Sequence, residues 1–307
     1  MTEPVPIAMA QGSSCWGCYQ SLIDIHLNLA TVLPLIDIKY WQCVADFKLK
    51  DLEGYPDKSI TVGLYEGMAR TEEDIHLLKI MREKCKILIA FGSCSCFGGI
   101  PGMANFSTLE ECNEVKFRNN KTVKDGEVPT ENLPEIAPVV IPNRDIVDFE
   151  IFLPGCPPTS KLILTALTAL LEGKPIELPP HTVCHYCDRE KKETPIEKVL
   201  RPFEGIADPD RCLLEQGYIC VGSATWGLCE GQCVSHGVTC RGCFGPPPPI
   251  MGDQGAAAIS MFGSYAPLES EVLAETVLDP LGCFWRFTYP TSHLGAIRIK
   301  REEAKTK

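Results

Sequence analysis

Short apolar runs alternate with helical patterns through the first 178 residues of the chain. Apolar segments at Val5 to Ala10, Ile60 to Tyr65 and Ile87 to Phe91 have the length of buried strands, and another runs from Phe149 to Leu153. Strands that are separated by helical segments usually cross over into a parallel sheet covered by helices. The pattern therefore predicts an α/β domain built on a parallel sheet.

Three helices are predicted in the same region from the spacing of apolar residues. From Cys18 to Leu33 the apolar positions recur at helical intervals, and Pro34 ends the run. Thr71 and Asp74 resemble a capping box, which marks the start of a second helix. The apolar residues expected on one face of that helix are Ile75, Leu78, Met81 and Cys85. The third helix runs from Thr159 to Leu171.

Two segments lack these patterns. Residues 107 to 145 are rich in Glu, Lys, Asn and Pro, which predicts a surface insertion rather than additional sheet. From residue 179 onward the periodicity is weak, and eight cysteines lie between Cys184 and Cys243. Such a segment has too little continuous apolar pattern to fold by burial alone, so we expect metal ligation to stabilise it. We therefore expect two domains, 1–178 and 179–307.

Charge and hydropathy narrow the classes of partner. The chain has 307 residues and a formal net charge of -11, which argues against nucleic acid or an anionic membrane surface as the main partner. It has no run of about 18 apolar residues that could span a bilayer. The first residues, MTEPVPIAMAQ, lack the features of an export signal, so we expect a cytoplasmic protein.

Seventeen cysteines dominate the candidate chemistry. In a reducing cytosol, closely spaced cysteines are more often metal ligands than disulfides. Four of them directly follow predicted strands: Cys15, Cys18, Cys94 and Cys156. Because ligands bind outside the carboxyl ends of the strands in an open parallel sheet, these thiols are expected to converge. Four cysteines suit either zinc or a 4Fe-4S cluster, and spacing alone does not separate the two.

Three motifs make the pattern specific. The strings SSCWGC, GSCSCFGG and PGCPP occur in this order and are followed by the cysteine-rich segment. They resemble the proximal-cluster motifs of nickel-iron hydrogenase small subunits. The resemblance implies a flavodoxin-like domain followed by an irregular iron-sulfur domain. It also implies the ligands of a proximal 4Fe-4S cluster, which are Cys15, Cys18, Cys94 and Cys156.

The same resemblance implies a distal cluster in the C-terminal segment. In the string HTVCHYC, Cys184 stands where the family has a histidine ligand. The implied distal ligands are Cys184, Cys187, Cys212 and Cys220. A shifted register with His181 or His185 as a ligand is the alternative.

A medial cluster is implied next to it. Its ligands are Cys229, Cys233, Cys240 and Cys243, and Cys233 stands where many relatives have proline. A fourth thiolate permits a complete 4Fe-4S cluster instead of a three-iron cluster and lowers its potential. Five cysteines then have no partner pattern and are interpreted as structural thiols: Cys43, Cys85, Cys96, Cys112 and Cys283.

Two residues beside the proximal motifs complete the set of candidates. Glu66, in the string YEGM, follows a predicted strand and resembles a family acidic residue near the proximal cluster and the partner interface. A loop carboxylate with satisfied hydrogen bonds is the alternative interpretation. Trp16 lies between two proximal ligands, where it could shield the cluster from water.

The resemblance implies the electron-transfer small subunit of a cytoplasmic nickel-iron hydrogenase, with the nickel-iron site on a large subunit. Electrons from H2 oxidation would pass through three 4Fe-4S clusters. The three four-cysteine sets look most like the methanogen-type hydrogenase that does not reduce coenzyme F420. Its implied partners are an electron-accepting iron-sulfur subunit and a heterodisulfide reductase. A gamma subunit of F420-reducing hydrogenase, a complex I-like subunit and a non-redox zinc protein remain alternatives.

Overall fold

The computed structural model describes residues 3–248, 252–266 and 270–306. Within them, five parallel strands form one sheet: β1 Val5–Gln11, β2 Ile36–Trp41, β3 Ile60–Glu66, β4 Cys85–Phe91 and β5 Ile151–Leu153. Their order across the sheet is β2-β1-β3-β4-β5, the flavodoxin-like order of doubly wound folds. The prediction of a flavodoxin-like α/β fold is therefore confirmed.

The four predicted strands are present, and a fifth, β2, is not predicted. In β2 the apolar residues Ile36, Ile38 and Tyr40 alternate with charged residues, which is the pattern of a strand at the edge of a sheet. At the opposite edge, β5 is shorter than predicted, because it begins at Ile151 rather than Phe149. The carboxylate of Glu150 there accepts a hydrogen bond from the backbone amide of Leu88 on β4.

Seven helices accompany the sheet in the described part of the first 178 residues. They are α1 Gly17–Ile23, α2 Leu27–Val32, α3 Leu49–Gly54, α4 Glu72–Lys84, α5 Gly92–Phe97, α6 Leu109–Asn113 and α7 Ser160–Leu171. The prediction of one helix from Cys18 to Leu33 is wrong, because His26, with a φ of 53°, separates α1 from α2. Pro34 lies in a short 3-10 helix that follows α2.

The capping box of α4 is confirmed. The Thr71 hydroxyl accepts a hydrogen bond from the Asp74 amide, and the Asp74 carboxylate accepts one from the Thr71 amide. The expectation that Cys85 extends this helix face is wrong. Its backbone is extended, it begins β4, and its fully buried side chain packs beside Gly63 of β3.

The segment 107–145 contributes no strand, as predicted. It holds α6 and a π-helical turn at Glu114–Arg118. Its C-terminal end is not a surface feature, however. Val140 is fully buried and exchanges two hydrogen bonds with the side chain of Asn105, at 2.9 and 2.7 Å.

The cysteine-rich segment is irregular up to Pro248, apart from the short helix α8 Gln232–Ser235 and 3-10 turns. Four further helices, not predicted from the sequence, follow: α9 Gln254–Tyr265, α10 Ser270–Thr276, α11 Pro280–Phe284 and α12 His293–Thr306. Among the described helices, none has both the length and the apolarity needed to cross a membrane.

Two hydrophobic cores cover the faces of the sheet, and a third lies in the C-terminal half. Trp226 and Phe244 from the C-terminal half pack into the core on one sheet face. In the other direction, Phe106 packs against the C-terminal core. The two halves are thus joined by apolar contacts, and the boundary between residues 178 and 179 stays a prediction.

Candidate metal centres

Four cysteines lie at the carboxyl edge of the sheet, where parallel strands present ligands. Cys15 and Cys18 follow β1, Cys94 lies in α5 directly after β4, and Cys156 follows β5. Burial raises the pKa of the Cys18 thiol far above its usual value, and the negative charges of Glu66, Cys94, Cys156 and Cys15 raise it further. Burial is the main cause that raises the pKa of Cys94 to about 12, and the negative charges of Cys156, Cys15 and Glu66 raise it further. The structure therefore brings these four thiols together, as expected from the topology.

Glycines let the backbone approach these sulfur atoms. Gly92 has a φ of +83°, and a Cβ atom added to it would lie 2.3 Å from Sγ of Cys18. Gly99 has a φ of +56°, and its Cβ would lie 2.5 Å from Sγ of Cys94. Only glycine satisfies both the conformation and the close approach. The region around the four sulfurs is thus bounded by bare backbone, which suits a large inorganic group.

Glu66 is a buried carboxylate at the end of β3 and not a loop residue. Its side chain is 1% exposed and accepts hydrogen bonds from the backbone amides of Cys18 and Tyr19, at 3.4 and 3.2 Å, and from the Ser14 hydroxyl. Burial raises the pKa of Glu66, although these hydrogen bonds oppose the increase. Because its partners lie at the start of α1, Glu66 holds the helix that carries Cys18.

A second set of four cysteines lies in the irregular segment. Part of Cys184 is exposed, but loss of hydration around its thiol raises its pKa to about 12. The negative charges of Cys220, Cys212 and Cys187 add to that increase. These four thiols are therefore neighbours. His181 and His185 are exposed and stack on each other, with ring centroids 3.9 Å apart.

A third set lies between the other two. Burial is the main cause that raises the pKa of Cys243 to about 12, and the negative charges of Cys229, Cys156 and Cys233 raise it further. Burial also raises the pKa of Cys240. The negative charge of Cys220 adds to this increase, and that of Cys243 adds to it more weakly. The medial set thus adjoins the proximal set at Cys156 and the distal set at Cys220.

One polar group beside the third set fits a bound sulfur-containing group. The Thr239 hydroxyl is buried, with 5% of the residue exposed, and has no hydrogen-bond partner within the described residues. A buried hydroxyl without a partner is costly, and sulfur next to Cys240 would supply an acceptor.

The spacing of the donor side chains also bears on the kind of metal centre. Across the described ranges, no three His, Cys, Asp or Glu side chains are grouped closely enough to hold a single metal ion. A zinc ion binds thiolates at about 2.3 Å, so its ligands lie close together. A 4Fe-4S cluster is held by four thiolates around a larger group of atoms.

The remaining cysteines have structural surroundings. All seventeen cysteines are free thiols, and all lie within the described residues. Cys85 and Cys96 are buried, and the Cys96 thiol donates to the Ala90 carbonyl at 3.3 Å. Cys43 is half-buried and its thiol lies 3.4 Å from Oε1 of Gln11. Cys112 and Cys283 are half-buried as well.

Ser93, next to Cys94, is a site residue that the sequence reasoning does not identify. Its hydroxyl accepts a hydrogen bond from the Gly155 amide at 3.0 Å and donates one to the Cys243 carbonyl. It thereby links the segments that carry Cys94, Cys156 and Cys243. The signal in the sequence is a serine beside each cysteine of GSCSC, which does not by itself specify a partner.

Comparisons with known proteins agree with this geometry. Residues 15–170 match the family described as NADH ubiquinone oxidoreductase, 20 Kd subunit. Over 293 residues the chain is 40% identical to the G subunit of the vhu F420-non-reducing hydrogenase of Methanococcus voltae, covering 95% of this chain and 98% of that protein. It is 36% identical over 313 residues to the iron-sulfur G subunit of the F420-non-reducing hydrogenase of Archaeoglobus profundus. This match covers 94% of this chain and 95% of that protein.

One solved structure shares the fold along almost the whole chain. It is a chain of the actinobacterial-type NiFe-hydrogenase from Ralstonia eutropha H16, with a TM-score of 0.52 and 14% identity. The match covers 99% of this chain and 90% of that one. At this identity the similarity is evidence about the fold alone, including that of the irregular C-terminal half.

Proposed function

Since the chain belongs to the NADH ubiquinone oxidoreductase 20 Kd subunit family and to the G subunits of F420-non-reducing hydrogenases, we propose that it is an electron relay. Electrons from H2 oxidation in a large subunit would pass through three 4Fe-4S clusters towards a heterodisulfide reductase complex. As a hydrogenase subunit, it is part of an oxidoreductase. The nickel-iron site would lie on the large subunit.

The proposed ligands are the three sets of four cysteines. The proximal set is Cys15, Cys18, Cys94 and Cys156; the medial set is Cys229, Cys233, Cys240 and Cys243; the distal set is Cys184, Cys187, Cys212 and Cys220. Clusters bound to these thiolates would supply one-electron redox chemistry. The observation that carries the proposal is the continuity of the sets, because Cys243 adjoins Cys156 and Cys240 adjoins Cys220.

The distal set supports cysteine rather than histidine ligation. The negative charges that raise the pKa of Cys184 come from the other three cysteines of the set, whereas the rings of His181 and His185 stack on each other. In the absence of metal, the raised pKa values of Cys94, Cys184 and Cys243 keep protons on their sulfur atoms. Metal binding therefore has to displace these protons, which couples cluster assembly to pH.

The surface around Cys15 supports the docking of a large subunit. Cys15 is exposed, and the aromatic side chain of Trp16, which follows it, is 37% exposed. Aromatic side chains are enriched at protein interfaces. We place the large subunit at this end of the row of cysteines.

The other end of the row supports an electron-accepting partner. Cys184 in the distal set is exposed, so an acceptor could approach a distal cluster closely. We propose an iron-sulfur subunit as this acceptor, with the heterodisulfide reductase beyond it. We also propose a cytoplasmic location, since a reducing environment keeps cysteines available as cluster ligands instead of pairing them in disulfides.

Metal and sulfide analysis of the anaerobically purified complex, combined with electron paramagnetic resonance (EPR), tests the proposal. We expect about twelve irons and about twelve acid-labile sulfides per chain, as three four-iron clusters. Colourless protein that contains zinc and no sulfide would overturn the proposal. Co-purification with a flavin subunit and reduction of F420 would instead identify a gamma subunit of F420-reducing hydrogenase.

A further inference from the structure

The side chain of Arg189 joins three segments of the cysteine-rich half. Arg189 is half-buried and lies two residues after Cys187 of the distal set. Its Nη1 donates hydrogen bonds to the Asp208 carbonyl at 2.6 Å and to the Arg211 carbonyl at 3.2 Å, and its Nε donates one to the Val234 carbonyl at 3.2 Å. A guanidinium presents its N–H donors in a planar, fixed fork, so it can hold several carbonyls at once. The arginine therefore fixes how these segments lie relative to one another.

Two of the three acceptors directly adjoin proposed cluster ligands. Arg211 precedes Cys212 of the distal set, and Val234 follows Cys233 of the medial set. The arginine itself follows another distal ligand after one intervening residue. One side chain thus connects the surroundings of two distal ligands with those of a medial ligand.

The distal segments are also held together without the arginine. The amide of Glu190 donates to the Asp210 carbonyl at 2.7 Å, and the amide of Cys212 donates to the Glu190 carbonyl at 2.8 Å. Between residues 188–190 and helix α8, by contrast, the bond from the guanidinium to Val234 is the one hydrogen bond in the described part of the chain. Loss of the guanidinium should therefore affect the medial ligand more than the distal ones.

Helix α8 depends on such support, because a helix of four residues is too short to be stable on its own. Cys233 lies in this helix and is exposed, so burial does not hold its thiol in place. The side chain of Val234 anchors the helix in the C-terminal core, and the bond from Arg189 holds its main chain. Apolar burial is non-directional, whereas a hydrogen bond has a preferred angle. The arginine thus sets the orientation of the helix that the apolar contact leaves open.

We propose that Arg189 is a positioning residue that keeps Cys233 in place as the fourth ligand of the medial cluster, an inference that rests on the proposed function. Groups that orient a metal ligand without binding the metal themselves strongly affect how firmly the metal is held. Without the guanidinium, α8 stays attached through Val234, but the thiol of Cys233 loses its fixed direction. The iron next to this thiol is then held less firmly than the other three.

Arg189→Gln in the anaerobically purified hydrogenase complex tests the inference. We expect a loss of about one iron per chain and, after treatment with a mild chemical oxidant, a three-iron EPR signal that wild-type complex treated alike does not show. Release of Fe2+ involves no electron transfer. The oxidant removes one electron from the remaining three-iron cluster, which makes the cluster visible by EPR. Arg189→Lys keeps the charge but not the planar fork, so we expect the same signal from it.

A double variant shows whether the effect passes through Cys233. If Arg189 acts by positioning Cys233, the variant with both Arg189→Gln and Cys233→Ala should lose no more iron than Cys233→Ala alone. The medial midpoint potential of the two should also be equal. A role of Arg189 in the stability of the fold alone would instead add its own iron loss to that of Cys233→Ala.

Arg82→Gln is the matched control. Arg82 likewise donates hydrogen bonds to three backbone carbonyls, those of Cys85, Lys86 and Asp148, and also pairs with the carboxylate of Glu150. These contacts lie at the beginning of β4, whereas the proximal set lies beyond the carboxyl ends of the strands. We expect full iron content and no three-iron signal.

Iron content separates the inference from the proposed function. Full iron content without a three-iron signal in Arg189→Gln would overturn the inference while the proposed function stands. Loss of about four irons without a three-iron signal would also overturn it, because the arginine would then be required for a whole cluster. Wild-type behaviour of Arg189→Lys would show that the charge rather than the fork is needed, against the positioning role.

The outcome does not depend on a single variant. If Arg189→Gln does not fold, the three-iron signal and iron content of Arg189→Lys decide the inference. Wild-type complex without iron would overturn the proposed function, and the inference with it.

Discussion

The backbone amide of Cys240 donates a hydrogen bond to Sγ of Cys220, with an N···S distance of 3.4 Å. The two residues belong to different proposed ligand sets, so a single hydrogen bond joins the medial set to the distal one. Cys243 lies close enough to Cys156 for the negative charge of that residue to raise its pKa, so the medial set also adjoins the proximal one.

We expect neighbouring clusters to interact magnetically, because ligand residues of adjacent sets are close neighbours. In the fully reduced complex, the EPR spectrum should show splitting or broadening that partly reduced protein does not show. Spectra at two microwave frequencies provide the measurement, because splitting caused by spin interaction keeps its width in field units. A spectrum equal to the sum of three independent signals would contradict the arrangement.

Replacement of Cys233 by alanine should convert the medial cluster into a three-iron cluster. The variant would lose the fourth thiolate, so we expect a loss of about one iron per chain and a higher medial potential. EPR of the oxidised complex should then show a three-iron signal. Cys233 is exposed, so its replacement leaves the hydrophobic core intact.

The matched control for this substitution is Cys112→Ala. Cys112 is a half-buried thiol outside the three sets, so its removal should change neither the iron content nor the EPR spectrum. A three-iron signal in undamaged wild-type protein would refute the role assigned to Cys233. Unchanged iron content in Cys233→Ala would refute it too.

Gly92→Ala should remove the proximal cluster. The added Cβ would lie 2.3 Å from Sγ of Cys18, and the left-handed backbone with a φ of +83° adds a strain of about 1–2 kcal/mol. Gly173→Ala is the control, because Gly173 also has a positive φ, +66°, but nothing lies within 4 Å of its Cβ. We expect a loss of about four irons per chain in Gly92→Ala and full iron content in Gly173→Ala. Equal iron content in the two variants would show that the close approach to Cys18 is unimportant.

The sheet and the convergence at its edge could be predicted because both follow from local patterns. Buried strands such as Ile60–Glu66 are nearly continuous apolar runs, and parallel strands bring their carboxyl ends to one edge. The edge strand Ile36–Trp41 is missed because its charged residues interrupt the apolar run. The break at His26 is missed because the apolar spacing continues across it.

The residues around the sulfur atoms are harder to predict, since their roles depend on contacts between distant segments. Glu66 contacts residues about fifty positions earlier, and Ser93 contacts Cys243 across 150 positions. Gln254 begins a helix that the sequence pattern does not predict, and only the fold places it beside Thr225. The twelve proposed ligands stand out by residue type, whereas their polar neighbours are common residues in unremarkable strings.

Glu66→Gln should destabilise the N-terminal part of the proximal site. The amides of Cys18 and Tyr19 donate to different oxygens of the Glu66 carboxylate, and glutamine would replace one of these acceptors with a donor. A buried donor left without an acceptor costs about 1–3 kcal/mol, so the midpoint of thermal unfolding should fall measurably. Glu53→Gln is the control: the Glu53 side chain is 43% exposed and pairs with His76, so we expect a change of about 0.5 kcal/mol or less. If the two variants unfold at the same temperature under anaerobic conditions, Glu66 does not hold α1, and its burial needs another explanation.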